Sequence, residues 1–382
     1  MTLASMHLLK RRALQALALL GLLCLAVAAA AAGAEAPTAG ISTAASTTAS
    51  TTASSTAASP IPASPSDEAT ARDLAARKRA LARAHRATLG VEVEVVEDAG
   101  SIATLGRERQ GSGVVIDADG LVLTIGYLIL EADHVDLVLD EEHRVPARVV
   151  GYDLATGFGL LQALTPLARE PAPLGDSAAF STDEPLMIAS GGEDASLSLA
   201  RMVSRRSFSG YWEYHIDGAL FTAPVRTDHS GAGLFDSNGR LLGIGSLVVT
   251  DALGTGQPSM RGNMFVPVDL LKPILAEMRE RGASRSSSRA WLGLNCVEYD
   301  GHIRVMRVTP ASPAEEGGLL PGDQIVAIDG VEVTGLESFY KTLWQRDPER
   351  DVQLQVRRGS TERSSTLHSI DRMKTLHRPP GV

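Results

Sequence analysis

Cysteine is nearly absent from the sequence. Of 382 residues only Cys24 and Cys296 are cysteines, and Cys24 lies inside an N-terminal apolar run. If that run is removed during export, one thiol remains and no intramolecular disulfide can form, which is compatible with an oxidising compartment without pointing to one. Groups of His, Cys and Asp with metal-ligand spacing are also missing, so we expect neither a metal site nor another cofactor.

Clusters of basic residues are missing from the part of the chain that looks globular. The 36 Lys and Arg residues are outnumbered by 45 Asp and Glu, and the formal net charge is −9. Such a chain does not attract a phosphate backbone, so nucleic acid is not expected as a partner. Alternation of strands and helices is missing too. With 36 Gly and 19 Pro, the pattern favours an all-β sandwich or barrel pair over a Rossmann-type sheet.

The N-terminus has the pattern of a secretory signal. Basic residues at 10–12 precede an apolar run from Ala13 to about Ala32, and small residues at Ala32 and Ala34 suit a cleavage site. We predict a signal peptide over residues 1–34 and a periplasmic location. The alternative is an uncleaved membrane anchor over residues 13–33, because the run is close to the length of a bilayer span.

Composition divides the rest of the chain into segments. A stretch made of Ala, Ser, Thr and Pro cannot bury enough apolar surface to fold and predicts a disordered tether. A helix with acids first and bases last follows, then short strands, a Ser/Arg linker and a second compact unit. The predicted boundaries are 35–66 for the tether, 67–89 for the helix, 90–281 for the strand-rich domain, 282–289 for the linker, 290–371 for the second unit and 372–382 for a tail.

The second unit carries specific turn and cap signals. Ser312 can cap a short helix that starts at Pro313 and closes at Gly317. Turns then flank a predicted strand over residues 324–328, and an amphipathic helix begins near Leu336. The alternating residues after Asp351 predict a closing strand.

Four segments in this order resemble the HtrA/Deg serine proteases, in which a trypsin-like double β-barrel precedes PDZ domains. They are GSGVVIDADGLVLT at 111–124, HSGAGLFDSNGRLLGI at 229–244, MFVPVDLLKPIL at 264–275 and SPAEEGGLLPGDQIVAIDG at 312–330. The resemblance implies a mostly β fold: a trypsin-like double six-stranded β-barrel followed by one PDZ domain of α+β type.

The same resemblance implies that the catalytic triad is degenerate. Ser230 occupies the place of the nucleophile, but Tyr127 stands at the histidine position and Gly157 at the aspartate position. A phenol with a reference pKa near 10 is a poor base at neutral pH, and glycine offers no carboxylate to orient any base. We therefore expect a pseudoprotease in which Ser230 is a remnant.

The turn before Ser230 also departs from the family. The predicted oxyanion-hole region is Asp228, His229 and Ser230, and Asp228 replaces a glycine whose backbone N–H helps to line the hole. A carboxylate there is expected to oppose a developing oxyanion. Four histidines are candidate bases for Ser230, but the sequence around each is more typical of a surface histidine or of one with its hydrogen bonds satisfied. These are His229, His134, His143 and His215. A serine endopeptidase with a non-standard base stays open as the alternative function.

In the PDZ unit, the segment WLGL resembles the loop whose N–H groups receive a peptide C-terminus. Helix residues are expected to form the opposite groove wall, and the same apolar side chains also suit the domain core. The predicted peptide-binding residues are Trp291, Leu292, Gly293, Leu294, Phe339 and Leu343. The predicted partners are protein C-termini or exposed segments, with active relatives or further copies of this chain (a homo-oligomer) as regulatory partners. Contact with the membrane is expected only if the N-terminus stays uncleaved. A purely structural envelope protein is the third possibility.

Overall fold

The structure is a computed structural model that describes residues 65–376 except 180, 182 and 183. The predicted signal segment and the tether up to residue 64 lie outside the described residues, as do residues 377–382. Within residues 65–376, no helix is long and apolar enough to cross a membrane.

A helix, α1, spans Pro65–Ala87 and starts two residues earlier than the sequence predicts. Its buried face is alanine: Ala80, Ala84 and Ala87 are at most 8% exposed. The small side chains allow close approach, since a Cβ added at Gly239 would lie 2.5 Å from the Ala80 carbonyl oxygen. The helix therefore packs directly against the barrels and is not a free spacer.

We expect Ala84→Leu to lower the free energy of unfolding by about 1–3 kcal/mol, because three added carbons have no room at a site that is 1% exposed. Ala76→Leu is the matched control, since Ala76 lies on the exposed face of the same helix. Urea denaturation of both variants checks this. Equal midpoints would show that α1 is not held in the packed position.

The first barrel follows α1 directly. Alternation in its first strand sends Val91, Val93 and Val95 into the core and leaves Glu94 exposed. The strands close in the order β1-β2-β3-β6-β5-β4. They are β1 Thr88–Val95, β2 Glu108–Val115, β3 Leu121–Ile125, β4 Ala132–Val138, β5 Arg144–Tyr152 and β6 Phe158–Ala163, with short helices α2 Ile102–Leu105 and α3 Gly126–Ile129 between them.

The second barrel repeats this arrangement, in the order β10-β11-β12-β9-β8-β7. Its strands are β7 Leu186–Ser190, β8 Ser196–Gly210, β9 Tyr214–Ala223, β10 Gly233–Phe235, β11 Leu241–Val249 and β12 Gly262–Pro267. The predicted pair of closed six-stranded barrels is confirmed. The hairpin of β8 and β9 has a three-residue connection, and its tip touches the C-terminal domain.

The connection to the C-terminal domain is fixed to the first barrel. A 3-10 turn, Val268–Leu270, precedes helix α4, Leu275–Arg281, at the end of the strand-rich domain. Beyond α4, Gly282 accepts a hydrogen bond from the Tyr152 N–H at 2.8 Å. A second 3-10 turn, Arg285–Ser287, follows.

The anchor of this connection is Asp153, a carboxylate with no exposed surface. Its Oδ2 accepts from the N–H and hydroxyl of Thr156 at 2.8 and 2.7 Å. Its Oδ1 accepts from the Ser284 N–H at 3.2 Å, from the Ser284 hydroxyl and from the Ser287 hydroxyl at 2.5 Å. The segment predicted as a linker is therefore docked through one buried carboxylate.

The C-terminal domain has the predicted α+β make-up. Ser312 caps its first helix by accepting from the Glu315 N–H, as the sequence predicts. After the predicted strand at 351 a further strand, β19, completes the sheet in the order β14-β15-β16-β18-β19. The elements are β13 Ala290–Trp291, β14 Leu294–Tyr299, β15 His302–Val308, α5 Pro313–Glu316, β16 Gln324–Ile328, β17 Val331–Glu332, α6 Leu336–Leu343, β18 Asp351–Arg358, β19 Thr361–His368, β20 Ile370–Asp371 and a 3-10 turn Arg372–Thr375.

Candidate functional site

Ser230 lies in the turn before β10, opposite the first turn of α3, and its side chain meets Tyr127. The Tyr127 phenol oxygen lies 2.8 Å from Ser230 Oγ and 2.8 Å from the Ser246 carbonyl oxygen. Tyr127 thus faces Ser230, as the catalytic histidine would if the resemblance to the family holds.

The Tyr127 hydroxyl has one proton but makes two hydrogen-bond contacts, so it can donate in only one of them. A carbonyl oxygen can only accept a hydrogen bond, whereas a serine hydroxyl can donate or accept. Both 2.8 Å contacts are satisfied when Tyr127 donates to the Ser246 carbonyl and the Ser230 hydroxyl donates to the phenol oxygen. In that arrangement the serine proton is held by a neutral phenol, which is a very weak acceptor of a full proton.

Burial raises the pKa of Tyr127 to about 12 and outweighs the Ser230 hydrogen bond, which lowers it. The phenolate form, which could act as a base, is then a fraction of about 10⁻⁵ at pH 7. Tyr127 is therefore held as a hydrogen-bonding group and not as a general base.

The position predicted for the aspartate, Gly157, is closed to a larger side chain. Gly157 has φ = +80°, in the left-handed region, and an added Cβ would lie 2.8 Å from the Tyr214 phenol oxygen. Tyr214 is buried and donates to the Thr156 carbonyl at 2.9 Å. An aromatic ring thus occupies the space that an orienting carboxylate would need.

Asp228 does not stand as an unpaired charge beside the serine turn. Its carboxylate pairs with the Arg226 guanidinium and accepts from the hydroxyls of Ser190 at 2.6 Å and Ser196 at 2.9 Å. Partial burial raises the pKa of Asp228, but Arg226 and the two hydroxyls outweigh it and hold that pKa well below its usual range. The repulsion expected between Asp228 and an oxyanion is reduced, because the positive charge of Arg226 offsets the negative charge of Asp228.

The structure brings none of the four histidines into hydrogen-bond contact with Ser230 within the described residues. His229 Nδ1 lies 3.0 Å from the Thr227 carbonyl, and burial lowers the pKa of His229. His134 and His143 are exposed and pair with nearby aspartates. His215 is buried and contacts the Ser209 hydroxyl at 2.9 Å.

Sequence reasoning missed Arg109, which holds the backbone around Tyr127. Its guanidinium is 5% exposed and donates to the carbonyls of Tyr127 and Leu130, each at 2.8 Å. Glu131, also buried, is the acidic group beside it and accepts from the N–H of Ser101 at 2.9 Å. An arginine in an alternating strand has no sequence signal that distinguishes it from a surface residue.

A second arrangement lies in the C-terminal domain, at the WLGL segment. The N–H groups of Leu292, Gly293 and Leu294 all point at the carboxylate of Glu213, at 3.2, 2.9 and 2.8 Å. Three convergent N–H donors are suited to bind a carboxylate. The predicted wall residues Phe339 and Leu343 have no exposed surface and belong to the domain core.

Among the described residues, one group of side chains could hold a metal ion: His215, Asp217 and Glu337, whose ligand atoms lie within 4.8 Å of one another. The Lys341 ammonium contacts Asp217 at 3.0 Å and Glu337 at 2.7 Å. Its single positive charge contacts both acids, so the group is an ion-pair network that joins β9 to α6.

Comparison with known proteins agrees with this fold. Residues 111–244 match the family of the trypsin-like peptidase domain, and residues 290–368 match the PDZ domain family. The fold and the two matches together define a trypsin-like peptidase domain joined to a PDZ domain. This combination is the HtrA/DegP-type architecture, which the following similarities support.

HhoA of Synechocystis sp., which carries the name of a serine protease, is 25% identical over 295 residues, covering 69% of this chain and 72% of HhoA. A DegP-like periplasmic serine endoprotease of Halomonas elongata is 24% identical over 279 residues, covering 68% of this chain and 56% of that protein. The chain therefore spans little more than half of the Halomonas protein. A solved structure of the HtrA-type protease AlgW, in a variant form with a tripeptide, has a TM-score of 0.50 at 21% identity and covers 80% of this chain and 98% of that one.

Proposed function

We propose that this chain is an exported HtrA-type protein without proteolytic activity, which binds C-termini or exposed segments of other proteins through its PDZ domain. Its role would be that of a scaffold, chaperone-like protein or regulator in envelope protein quality control. The periplasm is the proposed location, supported by the name of the DegP-like relative. Active relatives or further copies of this chain are the proposed regulatory partners.

The contact between Tyr127 and Ser230 is the main support for the proposal that the protein has no proteolytic activity. The Tyr127 phenol takes the place of a general base at Ser230. Its oxygen lies 2.8 Å from Ser230 Oγ, and its pKa is about 12. A general base works best when its pKa lies near the working pH. The closed space at Gly157 supports the same conclusion, because a replacement base would lack an orienting carboxylate.

The binding half is supported by the three converging N–H groups of residues 292–294. PDZ domains receive a terminal carboxylate on such a loop and add the peptide as a strand to the sheet edge. The loop has this geometry here, and β14, the strand that follows it, lies at one end of the sheet.

A serine endopeptidase that uses Ser230 is the second candidate. The retained Ser230 and the names of the relatives favour it. It requires a base that the described residues do not place at Ser230.

Labelling with a fluorophosphonate probe distinguishes the two candidates. Since the pKa of Tyr127 is raised to about 12, the phenol stays neutral from pH 6 to pH 9, and we expect no Ser230-dependent labelling at any pH in this range. Ser230→Ala is the control for background reaction. Labelling that rises with pH and disappears in Ser230→Ala would replace the proposal by the peptidase function.

The binding half is tested on the whole exported chain with peptides that end in an apolar residue. We expect saturable binding of the free-acid peptide by fluorescence polarisation, and none of the same peptide with an amidated C-terminus. Equal binding of both forms would contradict recognition of the C-terminal carboxylate.

A further inference from the structure

The groove of the PDZ domain is not open, because a segment of the second barrel lies in it. This segment is the tip of the β8–β9 hairpin, residues 210–213, which we call the hairpin tip. Its last residue, Glu213, is 7% exposed and directs its carboxylate into the WLGL loop. A buried acid that receives three backbone N–H groups has the chemistry of a bound peptide terminus.

The backbone of the hairpin tip also contacts the groove as a bound strand would. The N–H of Cys296, on β14, donates to the Tyr211 carbonyl at 2.8 Å. The Tyr340 hydroxyl, on α6, donates to the Gly210 carbonyl at 2.8 Å and lies 3.3 Å from the Glu213 N–H. The tip therefore bonds to both walls of the groove, the strand and the helix.

The backbone conformation and the burial of Glu213 would both be unfavourable in free energy without the contacts that it makes. Its φ of +56° lies in the left-handed region, which disfavours a residue with a Cβ. Burial raises the pKa of the Glu213 carboxyl, while Arg372 and the three N–H groups of the loop lower it in part. A residue in such a position stays there only because its surroundings hold it. The loop amides are the groups that receive this carboxylate.

We propose that the hairpin tip is a built-in ligand of the PDZ groove, and that a peptide C-terminus binds there only by displacing Glu213. This inference rests on the proposed peptide-binding function. When a peptide carboxylate takes the three amides, Glu213 returns to water, so one carboxylate is exchanged for another. The apparent affinity is then the intrinsic affinity reduced by the fraction of molecules with an open groove.

The test compares Glu213→Gly with the parent chain. Glycine removes the carboxylate and tolerates the positive φ, so the hairpin can keep its turn. Asp300→Gly is the matched control: Asp300 is an exposed acid with φ = +52° in the β14–β15 turn, so the changes in charge and backbone are alike. Affinity for a free-acid apolar peptide is measured by fluorescence polarisation on the full exported chain, with the amidated peptide beside it.

We expect Glu213→Gly to bind the free-acid peptide on the order of 10- to 100-fold more tightly than the parent chain, with Asp300→Gly unchanged. Equal affinity of the parent chain and Glu213→Gly would overturn the inference while leaving the proposed function intact. A gain that extends to the amidated peptide would also overturn it, because the site would then not be a carboxylate site.

Hydrogen exchange of the amides of residues 291–296, without peptide, gives a second and independent measurement. We expect exchange about 10-fold faster in Glu213→Gly and unchanged in Asp300→Gly. If no form of the protein binds peptide, the proposed function fails, and exchange alone decides whether Glu213 occupies the loop. Faster exchange supports that contact, and unchanged exchange overturns it.

Discussion

Replacing Tyr127 by histidine is expected to leave the protein without measurable proteolysis. The substitution supplies an imidazole near Ser230 but no group to fix its tautomer and orientation, because Gly157 has no side chain. In serine proteases of known mechanism, loss of the orienting aspartate alone lowers turnover by about 10⁴. We therefore expect hydrolysis by Tyr127→His about 10⁴-fold below that of an active HtrA-type protease on the same peptide substrate.

Adding Gly157→Asp does not complete the site in the usual way. The left-handed φ of Gly157 costs roughly 1–2 kcal/mol for a residue with a Cβ, and the contact with the Tyr214 hydroxyl adds strain of about 1–3 kcal/mol. We expect the double variant to unfold at lower urea concentration and to remain inactive.

The measurement is hydrolysis of an unstructured protein substrate together with fluorophosphonate labelling. Tyr127→Phe is the matched control, because it also disturbs the contact with Ser230 but adds no base. A Tyr127→His variant within about 100-fold of an active relative would show that some other group orients the imidazole.

Asp153→Ala is expected to give the largest loss of stability, about 3 kcal/mol or more. The carboxylate is completely buried and accepts five hydrogen bonds, two of them from the backbone N–H groups of Thr156 and Ser284. Removing it leaves these donors buried without their acceptor, at about 1–3 kcal/mol for each unsatisfied group, less any relaxation.

Asp153→Asn sharpens this test. One backbone N–H faces each carboxylate oxygen, so either orientation of the amide sets its NH₂ group against a donor. We expect Asp153→Asn to have a free energy of unfolding only slightly above that of Asp153→Ala. Asp194→Ala, at an exposed aspartate, is the control. Thermal and urea unfolding measure the effect, and stability close to that of the control would show that the linker is not held by Asp153.

Local signals account for what the sequence could predict. The cap at Ser312 and the strand at Gln324–Ile328 follow from turn chemistry and alternation, which act over a few residues. The two barrels followed from motif order. In contrast, Asp153 docks the connection through partners 131 and 134 positions away, and Glu213 binds partners 79 to 81 positions away. No local pattern distinguishes these two acids from surface residues.

The candidate site shows the same limit. Motif position identified Tyr127, Gly157 and Ser230, and the structure brings Tyr127 and Ser230 together. The ring of Tyr214 beside Gly157 was not foreseen, because it comes from the second barrel. The charge of Asp228 is predicted from the sequence, but the hydroxyls that accompany Arg226 around it are not, because Ser190 and Ser196 come from β7 and β8, more than 30 positions away.

The docked connection has a consequence for how the chain unfolds. Asp153 ties residues 284 and 287 to the first barrel, while the hairpin tip of the second barrel bonds to both walls of the PDZ groove. Neither barrel can lose its structure without releasing buried polar groups of the PDZ domain or of its connection. The three parts are thus thermodynamically coupled, so loss of structure in one of them lowers the stability of the part that it contacts.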